Sequence, residues 1–312
     1  MPLKRDIAPA MNFSLKIQAV LACLLWGSAF AGAKIAMEYA DPILLSGMRF
    51  TLAGLLLVPL ILIRKENLRG VLKAWKFLLT FAFLQTFLQY GLFFVGLDRV
   101  PGATSAIIVG AGPLFVAVMA HLTLHDDKMT LRKVLAIALG ICGVLFISLA
   151  TGSELAGSEP GFWVGIGLLV LSNIIGSYTN ILVVKQKNSQ ISPIVLTAVA
   201  NFVGGLLLLA LSFAVEKPQF HVHWPLEFYG ALVWLAIIPA SAFTLWYGVL
   251  NKPGVKVSEL NMWKFLIPVV GCLLSWLLLP DEKPDLPSLI GIGIITLSLQ
   301  LMQLPEHYFK RR

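Results

Sequence analysis

Ten apolar windows follow one another along this chain, at 17–37, 43–63, 74–97, 102–124, 131–150, 162–184, 192–215, 227–250, 257–279 and 286–304. A helix rises about 1.5 Å per residue, so roughly 20 such residues cross a hydrocarbon core of about 30 Å. No water reaches the backbone inside that core, and spans of this kind fold as helices that close their own hydrogen bonds. The breaks between windows are short, so no soluble domain fits between spans. Composition agrees: 58% of the 312 residues are apolar, 13% are charged, and mean hydropathy is +0.84. Aqueous α/β enzymes, DNA-binding domains and secreted disulfide scaffolds need about 25% charged residues or abundant cysteine. Cys23, Cys142 and Cys272 sit inside apolar runs without paired or ligand-like spacing and read as packing residues. The expected fold class is an all-α membrane protein with ten transmembrane helices.

The positive charge tests this topology independently of hydropathy. Counted by loop, 17 Lys and Arg fall on one side, in the terminal segments, in alternate loops and, as Arg132 and Lys133, at the start of span five, and only Arg99, Lys217 and Lys283 fall on the other. Cytoplasmic loops carry such an excess, which predicts an even number of crossings with both termini in the cytoplasm. The net charge of +8 is therefore spread over short loops and implies no nucleic-acid groove. Lys4, Arg5 and Lys16, an apolar stretch and the triplet Ala29-Phe30-Ala31 imitate a secretory signal. The apolar run continues past that triplet, so the segment is expected to stay as the first span.

The chain also repeats itself. At a constant offset of 155 residues Pro113 meets Pro268, Leu122 meets Leu277, Leu124 meets Leu279, Asp126 meets Asp281, Asp127 meets Glu282 and Lys128 meets Lys283. Phe50 over Phe202 and Gly27-Ser28 over Gly176-Ser177 are weaker echoes. Each half, 1–150 and 151–312, holds five windows. An odd number makes the second copy enter from the opposite face, so the expected architecture is two inverted five-helix repeats. Such repeats exchange conformations about an axis in the membrane plane and open a shared midplane cavity to either side in turn.

Trp26-Gly27-Ser28-Ala29-Phe30, Arg49-Phe50 before a small, Leu-rich stretch, and Pro113 and Pro268 with their acidic turns carry a resemblance over essentially the whole chain. It resembles the EamA-type branch of the drug/metabolite transporter superfamily. The resemblance implies a ten-helix secondary transporter of small metabolites or amino acids, usually an exporter in a bacterial inner membrane, with a central cavity lined by both repeats. The acidic turns depart from that family's usual Gly-Glu.

Ionisable groups within apolar spans are costly and invite a functional explanation. Lys34 has Glu38 one turn on, which suits a snorkelling ion pair. Arg49 lies roughly 9 Å into span two and serves either anchoring or gating. Lys264 shares a helix face with Asn261 and Pro268, a polar stripe where the proline withdraws a backbone donor; the alternative is an interfacial anchor beside Trp263. Span six carries Asn173, Gly176, Ser177 and Asn180 at helical spacing, for a cavity or for gluing helices together. Gln85, Gln89 and Tyr90 in span three, Trp26 in span one, and Trp246 and Tyr247 in span eight, beside Ser241 and Thr244, complete the candidate substrate-binding set. Arg49, Pro113 and Pro268 are the candidate gating or hinge residues.

These interior cations have no deep carboxylate beside them; Glu38, Asp98, Asp126, Asp127 and Glu259 all sit at span ends. A carrier of lipophilic amines or drugs, the alternative cargo, wants the reverse. The expected substrate is a small carboxylated solute, with Lys264 as its counter-charge and with export as the expected direction. No cofactor is implied. His121, His125, His221, His223 and His307 form no HExxH or other zinc pattern, and no catalytic constellation of an intramembrane enzyme is visible. Ala136, Gly140 and Gly143 give span five a small-residue face that suits either a neighbour within the chain or a homodimer.

Overall fold

The computed structural model describes residues 13–124, 130–155, 161–186, 191–218, 224–253, 255 and 257–304. The regular structure among them is helical. In chain order it comprises α1 (Phe13–Met37), α2 (Pro42–Leu56), α3 (Val58–Ile63), α4 (Arg69–Lys73) and α5 (Trp75–Phe81), then a π-helical segment (Ala82–Leu88) leading into α6 (Gln89–Asp98). There follow α7 (Gly102–Gly110), α8 (Gly112–Thr123), α9 (Leu131–Leu155), α10 (Phe162–Lys185), α11 (Pro193–Val215) and α12 (Leu226–Leu250). The last part is α13 (Val257–Asn261), a 3₁₀ turn (Met262–Phe265), α14 (Leu266–Leu278) and α15 (Leu286–Gln303). Seven helical runs among the described residues are long and apolar enough to cross a bilayer, and Leu266–Leu278 and Leu286–Ser298 are shorter apolar helices. Leu62, Leu122, Leu226 and Leu277 stand exposed on the outside, where lipid rather than water is the matching solvent.

The sequence windows locate these rods to within a few residues but do not show their interruptions. α2 and α3 meet at Leu57, two residues before Pro59; α7 and α8 meet at Ala111, two residues before Pro113. The 3₁₀ turn before α14 stands in the same relation to Pro268. Proline lacks the N–H that would reach back four residues, and its ring crowds that carbonyl, so the turn before it reorganises. The acidic turn at Asp126-Asp127 lies outside the described residues.

The halves meet through equivalent helices running in opposite directions. On α2 and α11, Gly47 faces Leu209, Thr51 faces Gly205 and Gly54 faces Phe202, one register descending as the other climbs. On α7 and α14, Gly102 faces Ser275, Ala106 faces Gly271 and Gly110 faces Pro268. On α9 and α15, Gly140 faces Ser298, Gly143 faces Ile294 and Ile147 faces Gly291. The remaining packing follows the same exchange: α1 lies on α12 as α10 lies on α6, and α1 lies on α14 as α10 lies on α8. Lipid offers no hydrophobic drive for helix association, so small residues that let backbones touch supply the adhesion. The small-residue strip of Ala136, Gly140 and Gly143 is used in this way within the chain, and the Ser298 hydroxyl donates to the Ala136 carbonyl at 2.6 Å.

Carboxylates from the second half tie down the face where α2 and α7 begin. Both Glu216 oxygens accept from Ile43 N and Leu44 N at 2.8 Å, and both Glu282 oxygens accept from Gly102 N at 2.5 Å and Ala103 N at 2.8 Å. Each satisfies orphan N–H groups at the positive end of a helix. Nearby, the Tyr39 hydroxyl donates to Glu227 at 3.1 Å, and the Lys34 ammonium donates to the Asp98 carbonyl at 3.3 Å.

Candidate functional site

A cavity of about 810 Å³, part of it continuous with its surroundings, opens among α1, α2, the π segment with α6, the α7–α8 break, α10, α12 and the 3₁₀ turn. The interruptions of the helices build it. The π turn carries Gln85 and leads into Gln89 and Tyr90; such turns widen a helix locally and recur at functional sites. The 3₁₀ turn carries Lys264, and Pro268, four residues on, has no N–H for the Lys264 carbonyl.

Two cations occupy this cavity, each held by aromatic rings. The Lys264 ammonium lies 4.9 Å from the Trp246 ring centre and 5.5 Å from that of Trp26. Trp246 is fixed by its indole N–H, which donates to Asn180 Oδ1 at 2.9 Å, while Asn180 Nδ2 donates to the Gly176 carbonyl at 2.7 Å. Arg49 is only 2% exposed; its guanidinium carbon lies 4.7 Å over Phe50, 5.1 Å over Phe94 and 5.9 Å over Tyr90. Its Nε and Nη1 are buried without a hydrogen-bond partner. A π face offsets part of a cation's desolvation but accepts none of the guanidinium's in-plane hydrogen bonds. Rings bridge the two cations: Tyr90 to Phe243 at 5.9 Å between centres, and Phe243 to Trp26 at 5.4 Å. None of the described lining residues is acidic.

The amide and hydroxyl groups divide into those already used and those left over. Asn173 Nδ2 donates to the Ile108 carbonyl at 2.8 Å, just before the α7–α8 break, and Ser177 returns its hydroxyl to the Asn173 carbonyl. Gln85 Oε1 accepts the Thr179 hydroxyl at 2.5 Å, whereas Gln89 Oε1 is buried without a partner.

Comparison with known proteins decides the family. The EamA-like transporter family matches residues 15–149 and again residues 163–303. The chain belongs to that family. It is 28% identical over 280 residues to the uncharacterized transporter YvbV of Bacillus subtilis, covering 89% of this chain and 88% of that one. It is 28% identical over 293 residues to an S-adenosylmethionine/S-adenosylhomocysteine transporter of Chlamydia trachomatis serovar L2, covering 92% and 88%. A solved crystal structure shares the fold with a TM-score of 0.70 at 20% identity, over 93% of this chain and 97% of the other. The resemblance read from Trp26-Gly27-Ser28, Arg49-Phe50 and the paired prolines thus identified the family correctly, and this EamA-like transporter is a multi-pass membrane protein.

In this EamA-like transporter the cavity gathers most of the residues singled out from sequence: Trp26, Gln85, Gln89, Tyr90, Asn173, Ser177, Asn180, Trp246, Tyr247, Lys264 and, from the gating set, Arg49. Asn261 stands outside the lining. It is fully buried, and its Nδ2 donates to the Val257 carbonyl of its own helix at 2.9 Å. Pro113 and Pro268 also stand outside the lining. Ser241 and Thr244 return their hydroxyls to the carbonyls of α12. Phe30, Val109, Gly112, Ser172, Phe243 and Ile267 line the cavity without having been anticipated. The repeat held a signal for one of them: at the offset of 155, Val109 is the counterpart of Lys264. His221 and His223 lie outside the described residues. Among the described residues no group of three His, Cys, Asp or Glu is placed to hold a metal.

Proposed function

We propose that this chain is a ten-crossing secondary transporter of the inner (plasma) membrane that moves small carboxylated solutes, amino acids or organic acids, by alternating access, in the export direction. The repeats 1–150 and 151–312 are its moving halves, both termini are cytoplasmic, and Arg49, Pro113 and Pro268 are its gating or hinge positions. The observation that carries the substrate reading is a cavity with two basic side chains and no carboxylate among its described lining residues. A buried cation facing such a space favours an anion that replaces the water it has lost. An amine or drug cation would meet like charge at Lys264 and Arg49, so the same geometry speaks against the multidrug reading.

The antiparallel seams at α2/α11, α7/α14 and α9/α15 support alternating access: equivalent surfaces meeting about one axis can trade geometries at small cost. The test is flux in proteoliposomes. Saturable transport and counterflow of a carboxylated solute are expected, with Lys264→Ala abolishing both at normal protein levels. Unchanged transport of every carboxylated solute in Lys264→Ala overturns the assignment. Cysteine-accessibility labels placing the two termini on opposite faces overturn the topology.

A further inference from the structure

Resting on the carboxylate reading of this same cavity, we propose that its substrate is an organic dianion with an apolar body, one anionic group meeting Lys264 and the other meeting Arg49. A single carboxylate or a zwitterion leaves this cavity electrically incomplete. Arg49, 2% exposed, holds Nε and Nη1 with no partner, and neither it nor Lys264 faces a carboxylate among the 20 lining residues. An amino acid would answer one cation and bring a third positive charge. Its ammonium would have only neutral acceptors such as Gln89 Oε1, which supply a hydrogen bond but no counter-charge.

Geometry sets the shape of the solute. Arg49 lies seven residues after Pro42, and Lys264 seven residues after Val257, on helices that start from opposite faces. Each is therefore ~10 Å deep, which leaves ~10 Å between them along the normal of a ~30 Å core. The rings of Trp26, Phe243 and Tyr90, packed tilted and edge-on, line that interval. A planar or chain-like apolar spacer with an anion at each end matches the sequence cation, rings, cation.

The test is thermal stabilisation of the purified full chain in detergent, together with its tryptophan fluorescence, since Trp26 and Trp246 flank Lys264. The probes are terephthalate and adipate as dianions, benzoate as a monoanion and phenylalanine as a zwitterion. The dianions should stabilise at the lowest concentrations. Arg49→Gln and Lys264→Gln should each weaken them by about ten- to a hundredfold, to the level of benzoate, while Arg49→Lys keeps part of the preference. Melting of each variant without ligand reports its folding. Phenylalanine or benzoate binding as tightly as terephthalate, in a manner that needs Lys264, overturns the dianion and keeps the carboxylate reading. Failure of every acid to stabilise an intact protein overturns both.

Discussion

The seam between halves makes a prediction with opposite signs at two glycines. A methyl group added at Gly54 on α2 would lie 2.6 Å from Phe202 Cβ, 2.7 Å from Phe202 N and 2.8 Å from Phe202 Cα on α11. Two of those atoms are backbone, so no rotamer change relieves the clash and the two helices must separate. Ordinary carbon contacts begin near 3.5 Å, which asks for a shift of roughly 1 Å along a tightly packed crossing. Overpacking of this kind costs about 1–3 kcal/mol, against a helix-propensity gain of up to about 1 kcal/mol from replacing glycine. The net expectation for Gly54→Ala is a loss of about 1–2 kcal/mol. At Gly230 on α12 an added methyl meets nothing within 4 Å, and Gly230→Ala should be neutral or slightly stabilising. Thermal unfolding of both variants and the parent at one scan rate in the same detergent checks this. A chain of this size shifts by about 2 °C per kcal/mol, so Gly54→Ala should melt about 2–4 °C lower. Equal or higher melting of Gly54→Ala would refute the direct backbone crossing of α2 and α11, and with it the antiparallel register of the halves.

Glu282→Ala should cost about 2–4 kcal/mol, because Gly102 N and Ala103 N at the start of α7 lose a charged acceptor; Glu282→Gln, keeping one oxygen, should lose about half as much in the same melting assay. Trp246→Phe should cost about 1–3 kcal/mol, since it strands the buried Asn180 Oδ1 and removes the larger ring under Lys264, and it should also blunt any fluorescence response to bound anions. The Tyr39 phenol titrates above the usual tyrosine range because its hydroxyl donates to Glu227 and sits near that negative charge. The folded chain then holds that proton when the unfolded chain has released it, so this contribution to stability falls as pH rises beyond the ordinary tyrosine value. Ultraviolet titration of the parent against Tyr39→Phe should reveal a late-ionising phenol, and an ordinary value would refute the bond.

The legibility of the site varied with the reach of the signal. Lys264 and Arg49 were visible because a charge in an apolar run is anomalous by itself, and the α10 stripe of Asn173, Ser177 and Asn180 because its period is helical. Asn261 has the spacing of three that suits one face with Lys264, but its amide is spent on the Val257 carbonyl one turn back, which the spacing alone does not show. Phe243, Phe30 and Val109 carried no polar signature, and their role comes from facing a gap that other helices leave open. The small residues of α9 were legible as an interface, but not which partner they meet, since Ala136 and Gly140 suit any close neighbour and α15 supplies it.

What the sequence determined by itself was the solvent, the helical form and the duplicated plan, because hydropathy, loop charge and the paired prolines are properties of the one-dimensional order of residues. What the tertiary structure decided was which side chains share a space. The register of α2 against α11 and α7 against α14, fixed by glycine contacts about 150 residues or more apart in the chain, brings Arg49 and Lys264 to one aromatic-lined cavity with no acid among its described lining residues. Contacts that distant depend on how surfaces fit after the helices exist, and no local pattern encodes that fit.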